Sequence, residues 1–335
     1  MKVYQLRRTG KPKILKIEEI NEPTAAAGEV KVKVEAIGIN YAEILSRKGQ
    51  YSWAPKKPYV MGMECYGEVT QVGEGVSSFK VGDKVIVGQQ HGSYAEYTCA
   101  PEHLCFPAFD GFTPEENAAY LVNFMTAWVG LKKMCRVERG ERVLIQAAAG
   151  GVGTAAVQIA SALGCEVYGT ASKDDKLKLI ESLGGKPINY REKDFYQEII
   201  ADGGQVDCVL ETVGGEVFKK SMKLLAPFGR LVVIGFASMN LKIWNPFSWI
   251  KTYRDAPKVN MMKMATESKG VFASHIGYLT ANKELTSDIW EELFLFTKDH
   301  DLRPVVGRIF DFSELPEAHA FMESRQSTGK LVVKL

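Results

Sequence analysis

Residues 147–158 read AAAGGVGTAAVQ, and their types and spacing suit one task, the binding of a dinucleotide pyrophosphate. Gly150 lets the backbone approach phosphate oxygens, and Gly153 lets the following helix pack tightly on the sheet. The free amides of Gly151 and Val152 open that helix with positive partial charge toward an anion. About twenty residues further on, where an NAD-selective domain places an acid against the ribose 2′-hydroxyl, this chain reads Gly169-Thr170-Ala171-Ser172. No carboxylate follows until Asp174, which Lys173 and Lys176 bracket. A hydroxyl and an ammonium at that point would bond a 2′-phosphate that a carboxylate would repel, so the pattern predicts NADPH over NADH.

These residues need a frame to hold them. An apolar run at 142–147 precedes the turn, a helical pattern at 154–163 follows it, and a second strand at 166–172 closes a βαβ unit of about thirty residues. Strand patterns at 187–190, 206–212, 230–236 and 271–278 then alternate with helical patterns at 174–183 and 216–224, which predicts a parallel doubly wound sheet. Before this region the pattern differs. Residues 29–37, 66–72, 84–87 and 93–99 are short runs punctuated by glycine, as in an antiparallel barrel, and 114–133 is compatible with a helix. Helical patterns recur at 289–300 and 315–323, and the tail from 305 to 335 returns to barrel-like strands. The expected class is α/β: a β-barrel catalytic domain over 1–121, a Rossmann domain over 122–288, and a return over 289–335 that completes the first domain.

Composition narrows the class further. With 335 residues and a formal net charge of +2, the chain is long enough for two domains and has no basic excess, so nucleic acid is not the expected partner. The start, MKVYQLRRTGKPKIL, lacks a signal-peptide core, and no run approaches the length of a spanning helix. A cytoplasmic protein is expected, with its six cysteines unbridged because none stands in CxxC spacing. The segment 241–264 carries Trp244, Phe247, Trp249, Tyr253, Met261, Met262 and Met264 without a clean period. It reads either as core or as an adaptable apolar wall over a ligand.

The barrel-first order, the turn GVGTAAVQ and a closing TGKLVV at 328–333 together resemble the medium-chain dehydrogenase/reductase superfamily, with its GroES-like and Rossmann domains. NYAEILSRKGQY (40–51), GDKV (82–85), SYAEY (93–97), NFMTAW (123–128) and INYR (188–191) resemble its zinc-independent quinone oxidoreductase branch, the ζ-crystallin-like proteins. GMEC (62–65), YLVNF (120–124) and HIGYL (275–279) are similar to the vesicle amine transport protein subgroup. The resemblance places Asn40 where zinc-dependent relatives have a cysteine ligand, Met63 where they have histidine, and Asn123 near the third position, so no metal is expected. It implies that Asn40 and Thr126 flank a nicotinamide, and that Gly235 and Phe236 shape its ring pocket. Ser172, Lys176, Tyr190 and Arg325 would contact the 2′-phosphate. Tyr51 stands at a family position from which a phenol could bond the substrate oxygen, or else it is a loop tyrosine covering the site. Leu45 replaces a second tyrosine found in some members, and Glu64 and His275 read as structural rather than as acids or bases.

The implied activity is NADPH-dependent reduction of quinones or α,β-unsaturated carbonyls by direct hydride transfer. The alternative is an NADPH-binding lipid-surface or ligand-carrier protein with little turnover, which would use the 241–264 segment as an apolar patch. An apolar strand at the end of the parallel sheet predicts a homodimer built across that edge.

Overall fold

Alternation of valine with lysine from Val30 to Val34 gives the strand Glu29–Ile39 one buried face, and beyond Val34 the strand is buried almost throughout. This strand, β3, is the spine of a seven-stranded sheet in the computed structural model, which describes residues 1–235 and 255–335. Along the chain the neighbouring elements are β1 (Lys2–Leu6), β2 (Ile17–Glu19), α1 (Tyr41–Lys48), β4 (Tyr59–Val60), β5 (Glu64–Val72), β6 (Lys84–Gly88), β7 (Tyr97–Pro101), β8 (Cys105–Pro107) and α2 (Pro114–Trp128). The large sheet runs β15-β16-β3-β5-β6-β8, with β15 at Val306–Asp311 and β16 at Lys330–Lys334, and β7 also pairs β3. A small sheet, β2-β1-β4, completes the strands of this unit, whose core includes Val30, Val32, Ile37, Val85, Val87 and Leu331.

The second unit is a parallel sheet in the order β11-β10-β9-β12-β13-β14. Its strands are β9 (Arg142–Ile145), β10 (Glu166–Ala171), β11 (Lys186–Asn189), β12 (Val206–Glu211), β13 (Leu225–Val233) and β14 (Gly270–Ala273). The helices α3 (Gly151–Ala162), α4 (Asp174–Ser182), α5 (Phe195–Ala201) and α6 (Gly215–Leu224) carry the crossovers, and α7 (Met261–Glu267) precedes β14. Strand order reverses between β9 and β12, and in open α/β sheets ligands collect beyond the strand ends at such a point. The α/β class with a GroES-like barrel and a Rossmann sheet is as the sequence leads one to expect.

Contacts divide the chain into Met1–Met125 with Ile276–Leu335, and Thr126–His275. The borders thus fall later than 121 and earlier than 288. The strand expected at 271–278 is shorter. Parallel pairing of β14 to β13 ends at Ala273 opposite Val233, Ser274 N–H still donates to Val233 O at 2.9 Å, and Ile276–Ala281 winds into a 3₁₀ turn of the other unit. Apolar residues there imitate a strand, but Thr280 Oγ1 closes the turn onto Gly277 O at 2.8 Å. The helix expected over 114–133 is α-helical only to Trp128, and Val129–Met134 is a π-helix.

Candidate functional site

Within the parallel-sheet unit, β9 ends at Ile145 and the chain turns through Ala147, which holds a φ of 53°, into α3. A Cβ on Gly153 would lie 2.4 Å from Ala147 O and 2.7 Å from the Ala148 backbone, so only glycine allows the helix to close on the turn. The N-cap, Gly150, has no side chain to accept the first amides of α3, and those of Gly151, Val152 and Gly153 open toward whatever anion or water lies at the helix start. A buried polar chain holds the turn from below. Thr170 Oγ1 accepts from Ala147 N–H at 3.2 Å and donates to Gln146 Oε1 at 2.7 Å, and Gln146 Nε2 donates to Ser221 Oγ at 3.2 Å. Ser221 in turn reaches Glu211, whose other oxygen accepts Gly214 N–H at 2.8 Å; burial raises the Glu211 carboxyl above its usual range.

The ends of β10 and β11 are tied together. Ala171 pairs with Asn189, Tyr190 N–H donates to Ala171 O at 3.1 Å, and Arg191 N–H donates to Asn189 Oδ1 at 3.1 Å. Ser172 leaves β10 half-buried, Tyr190 is 53% exposed, and Lys176 on the first turn of α4 is 8% exposed. Burial lowers the Lys176 ammonium first; Asp175 opposes this, while Lys173 and Arg191 lower it further. Lys173 and Arg191 thus stand close enough to Lys176 to act on its charge, with Asp175 opposing them, and no acid occupies the strand end itself. Arg191, which no sequence pattern singles out, stands close enough to Lys176 to lower its ammonium. It stands in a loop just after a strand, where spacing alone assigns no direction.

In the barrel unit, Asn40 is the N-cap of α1 and 7% exposed. Register explains its company: Gly38 pairs with Glu64 at the start of β5, and Leu331 pairs with Ile39, which sets Lys330 beside residue 40. Asn40 Nδ2 donates to Glu64 Oε1 at 3.0 Å, and Lys330 Nζ donates to Asn40 Oδ1 at 2.6 Å and also to Glu64 Oε1. Glu64 Oε2 accepts Val122 N–H at 2.9 Å. A Cβ on Gly38 would lie 2.3 Å from Ala118 O and 2.8 Å from Glu64 Oε1, so glycine there admits both the helix backbone and the carboxylate.

A second buried chain starts at Glu43, one turn along α1. Its carboxylate accepts Asn40 N–H at 2.8 Å, Met63 N–H at 2.7 Å and the Tyr94 hydroxyl. Tyr94 also meets His319 Nε2 at 3.0 Å, Arg47 Nε reaches His319 Nδ1 at 3.4 Å, and Arg47 pairs with Glu323. Burial pushes Glu43 up to about 7 and His319 down to about 3. Tyr51 is half-buried, and burial, followed by Glu43 and Tyr59, pushes its phenol up to about 12, which keeps its proton at neutral pH.

The expected site residues thus fall into groups. Gly150, Gly151, Val152 and Gly153 share the turn, and Ser172, Lys176 and Tyr190 share the strand ends. Thr126, half-buried on α2, and Gly235, just past β13, belong to the same unit. Asn40 and Tyr51 lie in the barrel unit, as does Arg325, which follows the helix Leu315–Glu323 and lies close enough to Lys48 to lower its ammonium. Phe236, and residues 241–254 of the Trp/Met segment, lie outside the described residues. Lys330, Glu64 and Glu43 bring partners that no local pattern shows. Asn40 and Met63 are poor zinc ligands by type, Asn123 donates to Ala119 O at 3.3 Å, and among the described residues no three His, Cys, Asp or Glu side chains are grouped to hold a metal. All six cysteines are free.

Comparison with known proteins gives the following. Residues 26–110 match the alcohol dehydrogenase GroES-like domain family and residues 183–333 the family described as zinc-binding dehydrogenase. The synaptic vesicle membrane protein VAT-1 homolog of Homo sapiens is 32% identical over 325 residues, covering 93% of this chain and 80% of its own. The quinone oxidoreductase of Thermus thermophilus, solved also in complex with NADPH, superposes with a TM-score of 0.82 at 34% identity over 100% of both chains. The CurK enoyl reductase superposes with a TM-score of 0.84 at 29% identity, covering 99% of this chain and 98% of its own.

Proposed function

The chain belongs to the medium-chain dehydrogenase/reductase superfamily, close to the VAT-1 homologues and the quinone oxidoreductases, and on that premise we propose an NADPH-dependent, zinc-independent reductase of quinones or α,β-unsaturated carbonyls. The observation that carries this reading is the end of β10, where Ser172 stands in place of an acid and Lys176, at the start of α4, lies close to Lys173 and Arg191, with Asp175 opposing them. NADPH, when bound, supplies hydride from its nicotinamide ring. The opening amides of α3 bind the diphosphate, and Ser172, Lys176, Tyr190 and Arg191 bind the 2′-phosphate, with Arg325 a further candidate. Asn40 and Thr126, with Gly235 and Phe236, position the ring. Tyr51, a phenol that keeps its proton, donates a hydrogen bond to the acceptor oxygen as charge develops there. Conjugated acceptors suit such a site because positioning, without a Lewis acid, suffices for hydride to enter the conjugated system.

A second reading, an NADPH-binding protein that works at a lipid surface, is favoured by the exposure of Val259, Met261 and Met262 at the start of α7 and by the likeness to a vesicle membrane protein. Among the described residues no helix is long and apolar enough to cross a membrane. One experiment separates the two: chelator-treated protein assayed with NADPH and NADH against a panel of quinones and enones, alongside liposome co-sedimentation. The reductase reading expects turnover that prefers NADPH; liposome binding without turnover on any acceptor would replace it with the second.

A further inference from the structure

We propose that Lys330 and Glu64 are positioning residues which lock the side-chain amide of Asn40 in one orientation; what that amide faces rests on the reading above. The chemistry of the two partners leaves one arrangement. The Lys330 ammonium can only donate, so the amide atom 2.6 Å from Nζ is the oxygen, and the Glu64 carboxylate only accepts, so the atom 3.0 Å from it is the nitrogen. A flipped amide would set NH₂ against an ammonium and C=O against a carboxylate, replacing two bonds by two repulsions. Asn40 is 7% exposed, Glu64 0% and Lys330 2%, so water cannot screen either repulsion.

The backbone of Asn40 is pinned as well, by the Glu43 carboxylate on its N–H and by the register of β3 with β5 and β16. The second Nδ2 proton has Gly38 O at 3.4 Å, long for a hydrogen bond, and this is the donor that the locked orientation presents. A buried ion pair adds little stability over apolar residues of similar size, whereas this one fixes which way the Asn40 amide points.

The test compares Lys330→Met/Glu64→Gln, which removes both charges together and so avoids an unpaired buried ion, with Lys330→Arg and Asn40→Ala. Two readouts are needed. Nitrogen-15 side-chain amide spectra of the cofactor-free protein follow Asn40, its signals assigned by their loss in Asn40→Ala. The fluorescence lifetime of bound NADPH follows the freedom of the nicotinamide.

In the wild type the two Asn40 amide protons should be widely separated and slow to exchange. The double variant should lose that separation and shorten the lifetime to that of Asn40→Ala, and kcat should fall about ten- to hundredfold with NADPH affinity little changed. Lys330→Arg should restore much of each. An unaltered amide signal in a folded double variant would overturn the proposal, and an altered signal with an unaltered lifetime would overturn the reading that Asn40 flanks the nicotinamide. Loss of all acceptor turnover in the wild type, with both readouts as expected, would overturn the reductase reading and leave the orientation in place.

Discussion

At the scale of single residues, the proposed hold on a 2′-phosphate draws on Lys176 and Arg191, cations close enough for Arg191 to act on the Lys176 ammonium. Lys176 is lowered first by burial and further by Lys173 and Arg191, against the pull of Asp175, and an anion bound there would favour its charged form. Each charge-assisted bond is worth about 1.5–3 kcal/mol, so Lys176→Ala and Arg191→Ala should each weaken NADPH binding roughly ten- to hundredfold while NADH binding changes little. Isothermal titration with both cofactors measures this; equal losses for the two would show that these residues hold something other than the 2′-phosphate. Lys176 is singled out by the sequence because it lies a fixed distance past a recognisable turn; Arg191 is not, since only the pairing of β11 with β10 brings it near Lys176. Lys330 was further out of reach: its contact with Glu64 joins residues 266 apart in the chain, and closing strands carry lysines for many reasons.

At the scale of elements, the parallel sheet was legible because its strands are apolar on both faces and its helices are periodic, and these patterns survive without neighbours. The stretch after Ala273 was misread for the same reason. Ile276, Tyr278 and Leu279 look like a strand, but Ile276–Ala281 winds into a 3₁₀ turn and belongs to the other unit. The shortened β14 still ends the sheet, and among the described residues nothing pairs its outer edge, on which Phe272 remains 36% exposed. An open edge with an exposed aromatic is best closed by a second copy of itself. Sedimentation of the wild type should therefore give twice the chain mass, and Phe272→Lys should give the chain mass. A wild type that sediments as a monomer removes the proposal.

For the whole molecule, two fully buried titratable groups on one hydrogen-bonded chain oppose each other. Glu43 is raised from 4.5 to about 7, so the folded state holds its proton more tightly. Its contribution is full below 4.5 and is lost as pH rises through 7. His319 is lowered from 6.5 to about 3, so the unfolded state holds that proton more tightly. Its contribution is full above 6.5 and is lost as pH falls toward 3. Between 4.5 and 6.5 the slopes have opposite signs, each at most about 1.4 kcal/mol per pH unit. Removing Glu43 with Glu43→Gln should make the urea midpoint rise more steeply with pH across this window than in the wild type, and His319→Gln should make it rise less or fall. Identical profiles for all three proteins would mean that neither group carries the shift.

The proposed function stands on one step, the direct passage of hydride from NADPH to a conjugated acceptor without a metal. Single-turnover reaction of chelator-treated protein with an α,β-unsaturated carbonyl acceptor, which keeps a transferred hydride on carbon, and NADPH stereospecifically deuterated at nicotinamide C4 tests this step. One of the two labelled forms should deliver its deuterium to the product, and the other should retain it on the cofactor. Product that carries no deuterium from either form, or that appears only when zinc is restored, would rule out direct, metal-free transfer.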